Sequence, residues 1–385
     1  MTRADAATLL TVDAERIDGT VSSITDKAIE LEAGGKRSVI ALDRVHRIEF
    51  QAVEPVRDSA ATVEVRAADG CRLFGRLEKA DGTLAVASPA VDRAIALDAK
   101  GVLGVRFIRP EGQGLAADKF EQELAAPDKQ ADTVFVSSDK GIVPFRVVVS
   151  KVAPDKTFFK YDGEERSVDT ERVAAIVFAN APEERAAGAG SGIELRLAEG
   201  SALRASSASL KGGVLAFKNM EAPEGRAWLV PAEKVISVEF LSGNVVYLSD
   251  LKPAAVEEVP FFNAVWPHAI GRSVGGNPIT LDGRTYARGI GCHTRTLLRY
   301  DLRGRYRKFA AVAGIDDEAR PQGSVQFVVE IDGKTACSVH LTGRDKAAPV
   351  TVDVSGAKTL TLIADFAEEA SVGDHADWAD ARVMK

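Results

Sequence analysis

Cysteine is scarce in this chain: Cys71, Cys292 and Cys337 are the full complement in 385 residues. An odd and widely scattered set makes neither a disulfide framework nor a thiolate zinc site, so these residues read as small buried apolar groups. Histidine is almost as sparse. His46 is the only one before residue 268, and a lone histidine beside an arginine on a strand reads as surface trim, not as a catalyst. No Ser/His/Asp set, phosphate-cradling glycine loop or metal-ligand spacing occurs in the first 240 residues. No apolar run approaches the ~20 residues of a membrane span. Nor is there a Lys/Arg stripe, and a net charge of −7 with a pI near 5.5 argues against nucleic acid as a partner. The opening "MTRADAATLLTVDAERIDG" is polar and enters strand-like sequence at once. The expectation is an exported protein whose signal peptide is not in this sequence.

Helical sequence is nearly missing too, whereas strand signals run throughout. Alternating Val/Ile/Leu/Phe segments bounded by Asp-Gly, Gly-Gly and Pro predict an all-β chain. Four segments resemble one another: "VIALDRVHRIEF" ends at Phe50, "AIALDAKGVLGVRF" at Phe107, "RSVDTERVAAIVF" at Phe178 and "WLVPAEKVISVEF" at Phe240. Each joins an apolar strand, a polar turn and an alternating strand closing on Phe, and a meander precedes each. Asp18-Gly19, Asp69-Gly70 and Asp81-Gly82 supply hairpin turns. The pattern resembles small five-stranded barrels of the Sm-like or SH3-like kind, placed at 1–52, 60–110, 111–180 and 190–243. These units carry no recognisable chemistry and read as modules for protein contact or spacing. The one helix is "GLAADKFEQELAAPDK", with Ala116, Phe120 and Leu124 on one stripe and Pro127 as its stop. "AAGAGSG", Ala186 to Gly192, reads as a flexible linker.

From "VVYLSDLKP" onward the texture changes. "GGNPITLDGRTYARGIGCHT", "AAVAGIDDEARPQGSVQFVVEIDGK" and "SGAKTLTLIAD" followed by "DHADWADARV" read as strand pairs, and together they suit a sandwich of about eight strands. Five phrases in order, "YLSDL", "GGNPITLDGRTYARGIGCHT", "YDLRGRYRKFAAVAGIDDE", "GSVQFVVEIDGK" and "DHADWADAR", resemble the NPCBM family of carbohydrate-binding modules. The domain is set at 244–385. The resemblance implies a jelly-roll sandwich of the galactose-binding-like type. It also implies association with glycoside hydrolases, sugar binding through loops at one end, and in some members a structural calcium. Asn277, Gly289, Gly291, His293, Asp316, Asp317, Asp377, Trp378 and Asp380 fall in the matching phrases, most of them as fold markers.

A sugar site needs an aromatic platform and a few polar groups for hydroxyls. Trp266, His268, Arg288 and His293 are the expected contributors, with Tyr286 assigned to the core. For calcium, Asn277 with Asp377 or Asp380 and the carbonyls of "SVGGNP" form the candidate set. Strand alternation would put Asp377, Ala379, Ala381 and Val383 on one face and Trp378, Asp380 and Arg382 on the other. That arrangement denies "GDHADWADARVMK" the facing carboxyls of a glycosidase. The leading expectation is a non-catalytic, multidomain binder of glycans, possible galactosides among them. Two alternatives stand beside it. One is a scaffold that uses the sandwich for protein contacts, which a buried Trp266 would favour. The other is a hydrolase or hydrolase accessory in which Asp317 and Asp377 or Asp380 meet in an open cleft.

Overall fold

The computed structural model describes residues 6–51, 63–80, 83–109, 113–139, 141–179, 192–219, 226–260, 265–368 and 372–385. The linker expected at 186–192 lies outside them, except for Gly192. Two compact units meet in sequence at Ser242 and Gly243.

The first unit repeats one topology four times. Each repeat has five antiparallel strands. The first pairs with the second and fifth, the second with the third, and the third with the fourth. A single 3-10 turn (Leu42–Arg44, Ala99–Gly101, Thr170–Arg172 or Ala232–Lys234) precedes the fifth strand, which runs Val45–Phe50, Val102–Phe107, Val173–Val177 or Val235–Leu241. The polar turn legible in the sequence is this 3-10 turn. Its last residue leads into a valine (Val45, Val102, Val173, Val235) that is buried in every repeat.

The register defines equivalent residues. Leu9 faces Ile48, Val65 faces Val105, Val134 faces Ile176 and Leu195 faces Val238, and all eight are buried. Every second strand carries a bulge, which bends it enough to curl a small sheet on itself. At the bend, space is short. A Cβ on Gly19 would lie 2.6 Å from the Glu32 carbonyl oxygen, and one on Gly75 would lie 2.3 Å from that of Ala87. The repeats associate in pairs through their fifth strands, with Ile48 opposite Val238 and Val105 opposite Ile176. Each pairing therefore joins equivalent residues, the self-complementary pattern of a two-fold interface. His46, read as surface trim, is buried in the fifth strand of repeat one, because that strand is covered on both sides where the pair forms.

The helix forms at Gln113–Ala125. Phe120 is fully buried against Phe135, Ala174, Ala175 and Val177. Gly104 makes room for it, since a Cβ there would sit 2.7 Å from the Phe120 ring.

The second unit is a two-sheet antiparallel sandwich. One sheet runs Ala269–Ile270, Gly289–Cys292, Ala376–Met384, Lys308–Ile315 and Ala348–Asp353, with Val245–Tyr247 also paired to Ala376–Met384. The other runs Ala255–Glu258, Thr296–Asp301, Thr359–Phe366, Ser324–Ile331 and Lys334–Thr342. The excess over about eight strands comes from pairings two or three residues long. Phe309, Phe327, Tyr300 and Trp378 fill the space between the sheets, and Phe327 meets Trp378 edge-on at 5.2 Å. Tyr286 is buried in a smaller cluster with Ile279, Leu281 and Ala379.

The last strand departs from simple alternation. Ala310 faces Arg382 while Val312 faces Ala379, so two residues of this strand oppose one of its neighbour. Asp380 sits in this bulge with φ of 51°, a conformation that aspartate tolerates better than most residues. The bulge resets the faces. Ala376, Trp378, Ala381 and Val383 all enter the main core, whereas Ala379 joins the smaller cluster. The expectation that Trp378 lies opposite Ala381 and Val383 is therefore corrected.

Candidate functional site

The site grows from the register of two strands. Cys292 faces Ala376, so the residues just beyond, His293 and His375, emerge side by side at one end of the sandwich. Ala269 faces Gly291 on the other side of the same strand, which brings the segment from Trp266 to His268 to that end. Trp266 stacks on His293 with ring centroids 5.3 Å apart and planes inclined by 21°. His375 stands 5.8 Å from Trp266 and 5.9 Å from His293. Trp266 retains 45% of its surface exposed, an apolar plate held in water.

Each imidazole is oriented by a partner. His293 Nδ1 lies 3.1 Å from the Thr294 carbonyl oxygen. A carbonyl only accepts, so this nitrogen carries a proton and Nε2 is the ring atom left for a ligand. His375 Nδ1 lies 2.8 Å from Glu318 Oε1, while Asn277 Nδ2 donates to Glu318 Oε2 at 2.6 Å. Burial pushes the Glu318 carboxyl up, but hydrogen bonds from Asn277, Ser273 and His375 outweigh it and hold the group below its usual range. Glu318 fits because position 275 is glycine, where a Cβ would lie 2.4 Å from its Oε1.

Asp374 is buried behind this cluster. It accepts from the Ser324 amide at 2.8 Å and the Thr294 hydroxyl at 2.6 Å, so one carboxyl ties together three segments bordering the site. Burial raises its pKa in spite of those bonds.

Of the residues expected to bind sugar, Trp266 and His293 come together. The other two are engaged elsewhere. His268 pairs with Glu258 through both its backbone amide and Nδ1, each at 2.7 Å. Arg288 is 95% buried, forks onto Asp250 at 3.0 and 2.7 Å, and lies 4.5 Å over the Tyr247 ring. It is an interior ion pair rather than a ligand contact, since a buried guanidinium needs its carboxylate. His375, Glu318 and Asp374 were missed as site residues. The available signal was that His293 and His375 each flank a strand of a predicted pair.

The calcium candidates do not converge as expected. The Asn277 side chain is held by Glu318. Asp377 is fully buried, and burial together with the neighbouring Asp316 carboxyl pushes its pKa well up, which disfavours the ionised form a metal would need. Asp380 lies in the bulge. Among the described residues no group of three or more His, Cys, Asp or Glu side chains is arranged to hold a metal ion. The carboxyls proposed for a hydrolase are also spent inside the fold. Asp317 accepts the amides of Asp282 and Gly283 at 3.0 and 2.7 Å, and Asp377 faces no open cleft.

What these features define is a β-sandwich with an exposed indole and two oriented imidazoles at one end. Residues 244–384 match the NPCBM/NEW2 domain family. Among curated proteins, the chain is 33% identical over 110 residues to a Renibacterium salmoninarum protein with the provisional name endo-alpha-N-acetylgalactosaminidase. It is 32% identical over 114 residues to alpha-1,3-galactosidase B of Akkermansia muciniphila. Each match covers 28% of this chain, but only 7% and 14% of those relatives. Among solved structures, a CBM51 module from Clostridium perfringens GH95 in complex with methyl-galactose is 27% identical, over 36% of this chain and 99% of that one, with a TM-score of 0.34. A CBM51-2 module of Clostridium perfringens ZmpB in complex with GlcNAc is also 27% identical, over 45% and 36% of the two chains, with a TM-score of 0.34.

Proposed function

We propose that this protein binds glycans without cleaving them, through the Trp266–His293–His375 end of its C-terminal domain. The observation that carries this reading is the half-exposed Trp266 stacked on His293 with His375 beside both. An indole face takes the apolar face of a pyranose. The Nε2 atoms of the two imidazoles exchange hydrogen bonds with its hydroxyls, and Glu318 and Asp374 keep the rings and loops in place. The named relatives carry the names of an endo-alpha-N-acetylgalactosaminidase, provisionally, and an alpha-1,3-galactosidase, so terminal galactosides and N-acetylgalactosaminides are the first ligands to try. An exposed Trp266 favours this reading over the scaffold alternative. The four barrel-like repeats serve as spacers or protein-contact modules, and the protein works outside the cytoplasm where such glycans occur. Calcium has no role in this account. A glycan array probed with the full chain, followed by calorimetry on the strongest hits, tests the proposal. Binding without release of free sugar is the expected result. Failure to bind any neutral glycan overturns the sugar role, and sugar release overturns the non-catalytic one.

A further inference from the structure

A second candidate site lies in the N-terminal unit, where repeats two and three adjoin. A cleft of about 340 Å³ opens there, and its walls include Val63, Leu77, Phe107 and Ile108. The first three are buried core residues of repeat two, so the cleft has an apolar floor. Two guanidinium groups, Arg76 and Arg109, line it with the exposed Glu171.

Arg109 sets this cleft apart from the other buried charges of the unit. Arg47 has Glu49 at 3.0 Å and Glu239 at 3.8 Å, Arg204 has Glu194 at 3.4 Å, and Arg106 is paired with Glu64. Arg109 is half-buried, and its one hydrogen bond among the described residues is from Nη2 to the Thr170 carbonyl oxygen at 2.6 Å. No carboxylate lies within 4 Å of it among the described residues. Glu171 acts on it only at longer range, and burial lowers its pKa. A guanidinium withdrawn from water without an anionic partner is unfavourable unless an anion arrives. Arg76 is 66% exposed and, among the described residues, is held by a 3.9 Å contact to Glu78, which leaves it able to swing over the cleft. Among the lining residues, two arginines and one glutamate leave a single positive charge, which suits a monoanion.

We propose that the cleft between the second and third repeats binds an amphipathic monocarboxylate, with its carboxylate on Arg109 and its apolar body against Leu77, Phe107 and Ile108. A cleft of this volume accepts a small ligand. The same chemistry is offered by a free medium-chain acid and by the C-terminus of a polypeptide ending in an apolar residue.

The test is calorimetric titration of the full chain with octanoate and octanamide, and with a tetrapeptide ending in leucine as free acid and as amide. The expected result is that at least one acid binds while its amide binds at least about tenfold more weakly. Octanoate alone assigns a free acid, and the peptide alone assigns a chain terminus. Arg109→Gln should weaken binding by about tenfold or more, and Glu171→Gln, which removes the one repelling charge, should tighten it. If Arg109→Gln fails to fold, Arg76→Gln and Glu171→Gln decide the matter, the first weakening and the second tightening. Equal binding of acid and amide, no binding of either acid, or indifference to these substitutions overturns the proposal.

Discussion

Asp377 is buried beside Asp316, and the two carboxyls divide their roles by hydrogen bonding. Asp316 accepts the amides of Thr280 and Glu318, both at 2.9 Å. Asp377 accepts no backbone amide, and burial together with the neighbouring Asp316 carboxyl pushes its pKa well up. Its folded pKa exceeds its unfolded one, so the stability it contributes is complete below the ordinary aspartate range and is lost as pH rises through the raised value. Asp377→Asn is neutral at every pH and nearly isosteric. Thermal melting from pH 4 to 9 should show the wild type losing stability with rising pH relative to this variant. Parallel curves would contradict the raised pKa.

Glu64 shows the opposite sign. It is fully buried among Arg66, Arg72 and Arg106. Burial pushes its carboxyl up, but the three guanidinium groups outweigh that and hold it below its usual range. Its contribution is present above the ordinary glutamate range and disappears as pH falls through the lowered value. Glu64→Gln should cost about 3–5 kcal/mol, since it strands buried positive charge. Denaturant unfolding of the full chain checks this, and a loss under about 1 kcal/mol would place the cluster among weak surface pairs.

Gly75→Ala should destabilise the first unit by about 1–3 kcal/mol, because its methyl group would overlap the Ala87 carbonyl. Gly114→Ala in the helix meets nothing within 4 Å and should stay within about 0.5 kcal/mol of wild type. Equal melting temperatures for the two variants would refute the tight bend.

Glu318→Gln tests a positioning role. It removes the charge that holds His375 Nδ1 while keeping a side chain able to bond Asn277. Glycan affinity should fall by about tenfold with the fold intact, and nitrogen-15 NMR should show the His375 tautomer no longer fixed. An unchanged tautomer together with unchanged affinity would remove Glu318 from the site.

Much of the architecture was legible because it is periodic and local. The four fifth strands that end at or next to a Phe, the helix around Phe120 and the sandwich phrases all announce themselves within a dozen residues. The Asp380 bulge was not legible, since a one-residue insertion depends on the neighbouring strand, and alternation was read straight through it. Arg288 was misread as a sugar contact because its partner, Asp250, comes from a distant turn. Within the site, Trp266 and His293 were visible as types. The links from Glu318 to Asn277 and His375 arise only when three segments far apart in sequence meet at one end of the sandwich.

The most direct measurement is equilibrium binding of the full chain and of Trp266→Ala to galactose- and N-acetylgalactosamine-terminated glycans. The account predicts binding by the wild type and a loss of about tenfold or more in the variant, with unchanged melting because Trp266 is half in water. Equal affinity of the two proteins, or no binding of any neutral glycan by the wild type, would contradict it.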